Sequence, residues 1–143
     1  MAVTEQELRE KYELFNSDDP SAIVDQFALN AVYYQADSDL TAIGYDEIAE
    51  VMAGWRTFFA DAKIEDVRIV SAEELVDQYP DAAQSFVVDF IGVGRYVQTM
   101  PGLEKVAPAR GQLVRLPIRE TIWLKEDGQF VRVENGIEVA ALL

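Results

Sequence analysis

A chain without histidine or cysteine must do any proton chemistry with Asp, Glu, Tyr, Lys or Arg. Imidazole bases, Ser-His-Asp triads, thiolate nucleophiles, disulfides and zinc sites with His or Cys ligands are all excluded. No phosphate loop, dinucleotide fingerprint or metal-ligand spacing occurs either, so neither a cofactor nor a metal is expected. Four residues stand out as candidate catalytic groups: Tyr12, Asp37, Asp89 and Arg119. Asp89 sits in Phe86-Val87-Val88-Asp89-Phe90-Ile91. Facing inward, its desolvated carboxyl would become a useful general acid or base; facing outward, it is ordinary surface. Asp37 shares strand parity with Tyr33 and Gln35, yet Ser38 and Asp39 beside it also suit a solvated loop. Tyr12 reads as a pocket hydroxyl donor or as a core aromatic whose hydroxyl needs a partner.

Arg119 shares parity with Arg115 and Trp123. An inward arginine would polarise a carbonyl or hold a carboxylate. The other reading is an outer-face ladder with Arg132, Glu134 and Glu120, as at a dimer interface. Glu134 and Glu138 bracket Asn135-Gly136 and read as exposed. The candidate lining of a substrate pocket is Tyr33, Tyr34, Gln35, Trp55, Phe59, Phe86, Phe90, Met100, Trp123 and Asn135, although Trp55 and Met52 also read as core.

Positioning these groups falls to helices first and strands afterwards. Thr4-Glu5-Gln6-Glu7 has the form of a capping box, and Leu8, Tyr12 and Phe15 then recur on one helical face. Asp19-Pro20 opens a short helix through Ile23, Val24 and Phe27. Residues 31–37 alternate as a strand, and a loop of small and polar residues leads to Gly44. From Asp46 a third helix places Ile48, Met52, Trp55 and Phe59 on one stripe. Beyond Ala62 the period becomes two, with strands over 64–71, 85–97, 112–125 and 130–140 and a turn at Tyr79-Pro80-Asp81. Asp127-Gly128 predicts a hairpin between the last two strands. Residues 98–111 hold Pro101, Gly102, Pro108 and Gly111, a long loop that reads as a lid or as a plain connection.

The composition sets the outer limits. The 143 residues fit one domain spanning 1–143, and half of them are apolar, enough for a real core or an apolar pocket. Twelve basic against 26 acidic residues leave a formal charge of −14, which repels nucleic acid and anionic membranes. Charges interrupt every apolar stretch, so no membrane span is expected, and the N-terminal residues lack a basic, apolar signal. A cytoplasmic protein is the expectation.

Helix, helix, strand, helix and then a curled sheet resembles the nuclear transport factor 2-like superfamily, which includes ketosteroid isomerase, the SnoaL-like polyketide cyclases and the limonene epoxide hydrolases. The resemblance rests on Lys11-Tyr12-Glu13 through Phe27, on Ala31-Val32-Tyr33-Tyr34 followed by Gly44-Tyr45-Asp46-Glu47-Ile48, and on 111–117 with 123–130. It implies an α+β fold: a cone-shaped, curved, mostly antiparallel sheet wrapped around three N-terminal helices, enclosing an apolar cavity, in a homodimer. It also implies site residues. Ketosteroid isomerase's helix tyrosine falls on Tyr12, its base aspartate on Gln35, and its second oxyanion donor, a protonated aspartic acid, on Arg119. Glutamine takes no proton at neutral pH, so isomerisation by that route is not expected. Against the epoxide hydrolases, Tyr34-Gln35 resembles the water-positioning Tyr-Gln-Asn with Ala36 in place of asparagine; the base falls near Asn135, and Asp89 lies near an Arg-x-Asp segment. The two comparisons turn opposite faces of the first strand inward, because a shift of one residue exchanges the faces.

The expected function is a cofactor-independent cyclase or isomerase acting on an apolar polyketide- or terpenoid-like molecule in the cone. With the family's base missing, shaping of the substrate for a cycloaddition-type ring closure would dominate over acid–base help, and orientation alone removes up to about 10 kcal/mol from a barrier. Two alternatives stay open: an epoxide hydrolase or epoxide-opening cyclase, and a non-catalytic ligand-binding or dimerisation module with a blocked or purely hydrocarbon cavity.

Overall fold

Residues 2–17, 20–98 and 109–138 are described by the computed structural model of this protein. The elements in order are α1 (Glu5–Glu13), α2 (Pro20–Val24), β1 (Phe27–Gln35), β2 (Leu40–Ile43), α3 (Gly44–Phe58), β3 (Phe59–Ser71), β4 (Gln84–Tyr96), β5 (Leu113–Leu124) and β6 (Phe130–Ile137). One six-stranded sheet has the order β2-β1-β6-β5-β4-β3. β1 and β6 run parallel and every other neighbouring pair antiparallel.

Local sequence explains most of these boundaries. The capping box at α1 forms: Thr4 Oγ1 accepts from the Glu7 N–H at 3.1 Å while the Glu7 carboxylate accepts from the Thr4 N–H at 3.3 Å. Leu8 is fully buried, with Tyr12 and Phe15 packed on the same core, as their spacing predicts. Asn16, just past α1, clamps β3 through the Ile64 backbone, donating to its oxygen at 2.9 Å and accepting from its N–H at 2.7 Å. The β5–β6 hairpin turns on Gly128 at φ +86°, with the Asp127 carboxylate accepting from the Gln129 N–H at 2.9 Å.

Three boundaries differ from expectation. Phe27 opens β1 rather than lying on the second helix, because α2 stops at Val24. The stretch before Gly44, expected as loop, holds β2, which pairs antiparallel with β1 after a 3-10 turn over Ala36–Ser38. Phe59, expected on the helical stripe, begins β3, which starts five residues earlier than the period-two pattern suggested. Most of the 98–111 loop, Met100 included, lies outside the described residues. No helix of the described residues is long and apolar enough to cross a membrane.

The sheet curls because β3 bends twice. Its register against β4 slips between Ala60 and Lys63 and again between Glu65 and Arg68. Each slip contains an aspartate in the left-handed region, Asp61 at φ +55° and Asp66 at φ +57°, a conformation that aspartate tolerates better than most residues. Such bulges bend a strand and increase its twist. The bent sheet packs its concave face against α1 and α3. Beside the first bulge, Gly94 of β4 lets β3 come close: a Cβ there would lie 2.8 Å from the Phe59 Cβ and 3.3 Å from the Ala60 oxygen. Gly94→Ala is therefore expected to cost about 1–3 kcal/mol by overpacking. Urea unfolding checks this, and an unchanged midpoint would show that β3 yields freely at the bulge.

Candidate functional site

Along β5, alternation buries Val114, Leu116, Ile118, Glu120, Ile122 and Leu124 on the concave face. One member of that row is a carboxylic acid. Glu120 is only 7 % exposed and receives three hydrogen bonds from three different elements. The Tyr12 hydroxyl of α1 donates to its Oε1 at 2.7 Å. The Tyr33 hydroxyl of β1 and the Asn135 Nδ2 of β6 donate to its Oε2 at 3.2 and 2.8 Å. No ion pair reaches Glu120 among the described residues.

Burial is the main reason that the Glu120 pKa lies above the ordinary glutamate value, and the bonds from Asn135, Tyr12 and Tyr33 oppose that rise only in part. Both tyrosine hydroxyls are pushed well above their usual value, first by burial and then by the neighbouring Glu120 charge. The cluster is thus built to keep protons rather than to lose them.

It forms part of the wall of a cavity of about 90 Å³ between the helices and the concave face. Phe15, Ile23 and Phe27 line one side, Met52, Trp55 and Phe59 another, and Phe90, Leu116 and Ile118 the sheet. Trp55 and Phe59 stack with centroids 6.0 Å apart, and Tyr12 packs against Phe90 at 5.6 Å. Among the described residues Glu120 is the only acid in the lining. Lys11 and Lys63 also contribute to it, with the Lys11 ammonium held at 2.7 Å by Gln26. A largely apolar cavity with a few converging polar groups is the usual form of a small-molecule site.

The residues singled out from the sequence divide cleanly. Tyr12, Tyr33, Trp55, Phe59, Phe90 and Asn135 line the cavity. Gln35 is buried beside it, and Phe86 is buried in the core away from the lining. Tyr34 points the other way, its hydroxyl donating to Asp39 at 3.1 Å, so Tyr33 and Gln35 are the inward residues of β1.

Four further expectations are corrected. Asp89 and Arg119 face each other on the convex side in a two-pronged pair, Nε to Oδ1 at 2.7 Å and Nη2 to Oδ2 at 3.0 Å. The Arg119 bond holds the Asp89 carboxyl below its usual range, the reverse of the rise that an inward acid would show. Asp37 accepts from the Ile137 N–H at 2.7 Å and ties the end of β1 to the end of β6. Trp123 is buried on the convex side under the 3-10 turn Glu73–Gln78, donating to the Leu75 oxygen at 2.9 Å with Tyr79 edge-on at 4.7 Å. Glu120, grouped by charge with the outer ladder, is the residue that sequence reasoning missed. Its signal was parity: it shares a face with Ile118 and Ile122, not with Arg119.

Solved structures of the same architecture are numerous. A proposed polyketide cyclase from Xanthomonas campestris pv. campestris superposes with a TM-score of 0.71 at 20% identity, over 95% of this chain and 93% of its own. The chain has the nuclear transport factor 2-like fold. A proposed polyketide cyclase from Pseudomonas putida KT2440 has a TM-score of 0.70 at 19% identity, over 94% of this chain and 91% of its own. SalBIII, an epoxide hydrolase/cyclase-like enzyme of pyran ring formation in the polyether salinomycin, has a TM-score of 0.68 at 15% identity, over 94% and 89%. No family model matches the sequence, and no curated protein matches it. Within this nuclear transport factor 2-like fold, the resemblance drawn from sequence had set the second oxyanion donor on Arg119. The neighbouring residue, Glu120, is the one that meets Tyr12.

A raised carboxyl pKa makes stability depend on pH in a defined direction. Between the unfolded value, about 4.3, and the higher folded value, the folded chain holds a proton that the unfolded chain has released. The contribution of Glu120 is therefore full below the unfolded value and is lost as pH rises through the folded one. Glu120→Gln keeps the shape and removes the titration. The melting temperature of the parent is expected to fall relative to that of E120Q as pH rises from about 5 to about 8. Parallel pH profiles for the two proteins would contradict a buried, uncompensated acid at this position.

Proposed function

We propose that this protein is a cofactor-independent enzyme of the cyclase or isomerase type, acting on an apolar, oxygenated small molecule, with Glu120 as its proton-transferring group. The observation that carries this reading is a carboxylic acid in the wall of an apolar cavity, held by two tyrosines and an asparagine and, among the described residues, by no cation. In its protonated form a carboxyl is bifunctional. Its O–H gives a proton to a substrate carbonyl oxygen while its other oxygen takes one from the adjacent carbon, so a ketone becomes its enol and the acid is regenerated. Tyr12 and Tyr33 share their hydroxyl hydrogen bonds with the oxygen on which charge develops. The apolar walls exclude water and align the substrate, the part of the barrier that orientation alone can lower.

This reading gives acid–base help a larger share than a mechanism dominated by substrate shaping, and it moves the role of acid from Asp37 and Asp89 to Glu120. A protonated acid in an apolar cavity also suits protonation of an epoxide oxygen, and SalBIII is an epoxide hydrolase/cyclase-like enzyme. Labelled water separates the hydrolytic version, since only hydrolysis places the label in a diol.

The test is incubation with apolar cyclic ketones in deuterium oxide, reading deuterium at the α-carbon by mass spectrometry. Exchange above the buffer rate is expected in the parent. Glu120→Gln should lower it by about 100- to 10,000-fold, and Tyr12→Phe by about 100-fold. Asp37→Asn and Asp89→Asn, outside the cavity, should leave it nearly unchanged. No exchange with any ketone, or full exchange in E120Q, would remove Glu120 from the chemistry.

A further inference from the structure

Two lysines belong to the wall of the cavity, and the chemistry at Glu120 uses neither. Lys11 of α1 and Lys63 of β3 both line it. Acids outnumber bases by 26 to 12 in this chain, so a lysine has many carboxylates within its choice. Yet no carboxylate among the described residues forms an ion pair with either ammonium group. Glu65, two residues from Lys63, is taken by Arg115 instead. Lys11 donates to the Gln26 Oε1 at 2.7 Å, and the Gln26 Nε2 donates in turn to the Ala22 oxygen at 3.2 Å. A neutral amide thus fixes the place of the Lys11 charge without compensating it. The last turn of α1 favours a cation, which accounts for a lysine at 11 but not for one at 63.

Lys63 marks the mouth of the cavity. In a regular strand only alternate residues face one hollow. Here three consecutive residues of β3, Ala62, Lys63 and Ile64, line the cavity, as do Gly92, Val93 and Gly94 of β4 opposite. Lys63 and Val93 are partners in the ladder, at the point where the register has just slipped through the first bulge. A bulge re-aims the side chains beside it. Lys63 is exposed while Ile64 is buried, so its stem lies along the apolar wall and its ammonium reaches water. The groups that set the Glu120 acidity include neither lysine, so the acid and the cations occupy separate parts of the wall.

An apolar hollow with an acid inside and uncompensated cations at its rim suits one kind of molecule. We propose that the substrate is an amphipathic carboxylic acid, with its apolar body in the cavity and its carboxylate at the rim with Lys63 and Lys11. An alcohol of the same shape gains nothing from the two charges, and an amine is repelled by them. The net charge of −14 acts in the opposite sense, drawing an amine and repelling an acid. A preference for the acid therefore reports the rim and not the protein as a whole. This inference rests on the reading of the cavity as the place where Glu120 acts.

3-Phenylpropanoate, 3-phenylpropan-1-ol and 3-phenylpropylamine share one apolar body and differ in the charge of the head. Calorimetry on the intact chain at low salt is expected to rank the acid first, about tenfold tighter than the alcohol, and the amine last. Raising the salt to about 0.5 M should cut the advantage of the acid to about threefold or less. Lys63→Met and Lys11→Met should each reduce it, and K11M/K63M should abolish it, with the binding of the alcohol unchanged. The salt series on the parent decides the matter even where a variant misfolds. Equal binding of acid and alcohol, a first place for the amine, or binding of none of the three overturns the proposal. So does an acid advantage that salt does not move or that survives in the variants that fold. In each case the ketone exchange assay with E120Q judges the role of Glu120 separately.

Discussion

A carboxyl group removed from water needs either a cation or enough hydrogen bonds, and among the described residues Glu120 has only the second. That constraint links more of the molecule than any other contact. Its three donors come from α1, β1 and β6, and the acid itself from β5. The cluster holds only if α1 lies at one rotation over the sheet and if β1, β6 and β5 keep one register. A slip of one residue in β5 would bring Arg119 inward and send Glu120 out, exchanging the two faces. The polar cluster thus specifies an arrangement that apolar side chains alone would fix less sharply.

The cavity exists because of what the inward row of β4 leaves out. That row runs Phe86, Val88, Phe90, Gly92, Gly94 and Tyr96, full-sized at one end and empty in the middle. At the glycines the neighbouring strands close in, with Phe59 against Gly94 and the Ile118 methyl 3.0 Å from where a Gly92 Cβ would sit. The bulges at Asp61 and Asp66 supply the bend that this close approach allows. Curvature and missing side chains work together, and the helices roof the hollow without filling it.

Much of this frame was legible in the residues. The capping box of α1, the Asp-Gly hairpin and the period-two rows each have a local cause, and each forms. β2 was not legible, because a four-residue edge strand has too little alternation to show and is created by its pairing to β1. Phe27 and Phe59 each sit at a junction of helix and strand, where either period accommodates an aromatic residue. The site was harder to read. Asp89 was weighed by its neighbours in sequence, yet Val88 and Phe90 lie on the opposite face of the sheet from it. Glu120 was judged by its charge, although the row Val114, Leu116, Ile118, Glu120, Ile122 already named its face. Parity along a strand was the better guide, and it lay in the sequence throughout.

The two faces of the sheet then show what each acid is for. On the convex side Asp89 and Arg119 are 42 % and 69 % exposed in their side chains, and a pair so open to solvent contributes about 0–1 kcal/mol. Such a pair keeps the outer face soluble and is easily replaced. On the concave side an aliphatic residue at position 120 would complete the apolar row and spare a carboxyl its desolvation, commonly a neutral or stabilising exchange. Stability therefore does not call for an acid there. Glu120, whose desolvation opposes folding, is held there by hydrogen bonds from three other elements, and what it adds is a single rotation of α1 and a single register of β1, β5 and β6.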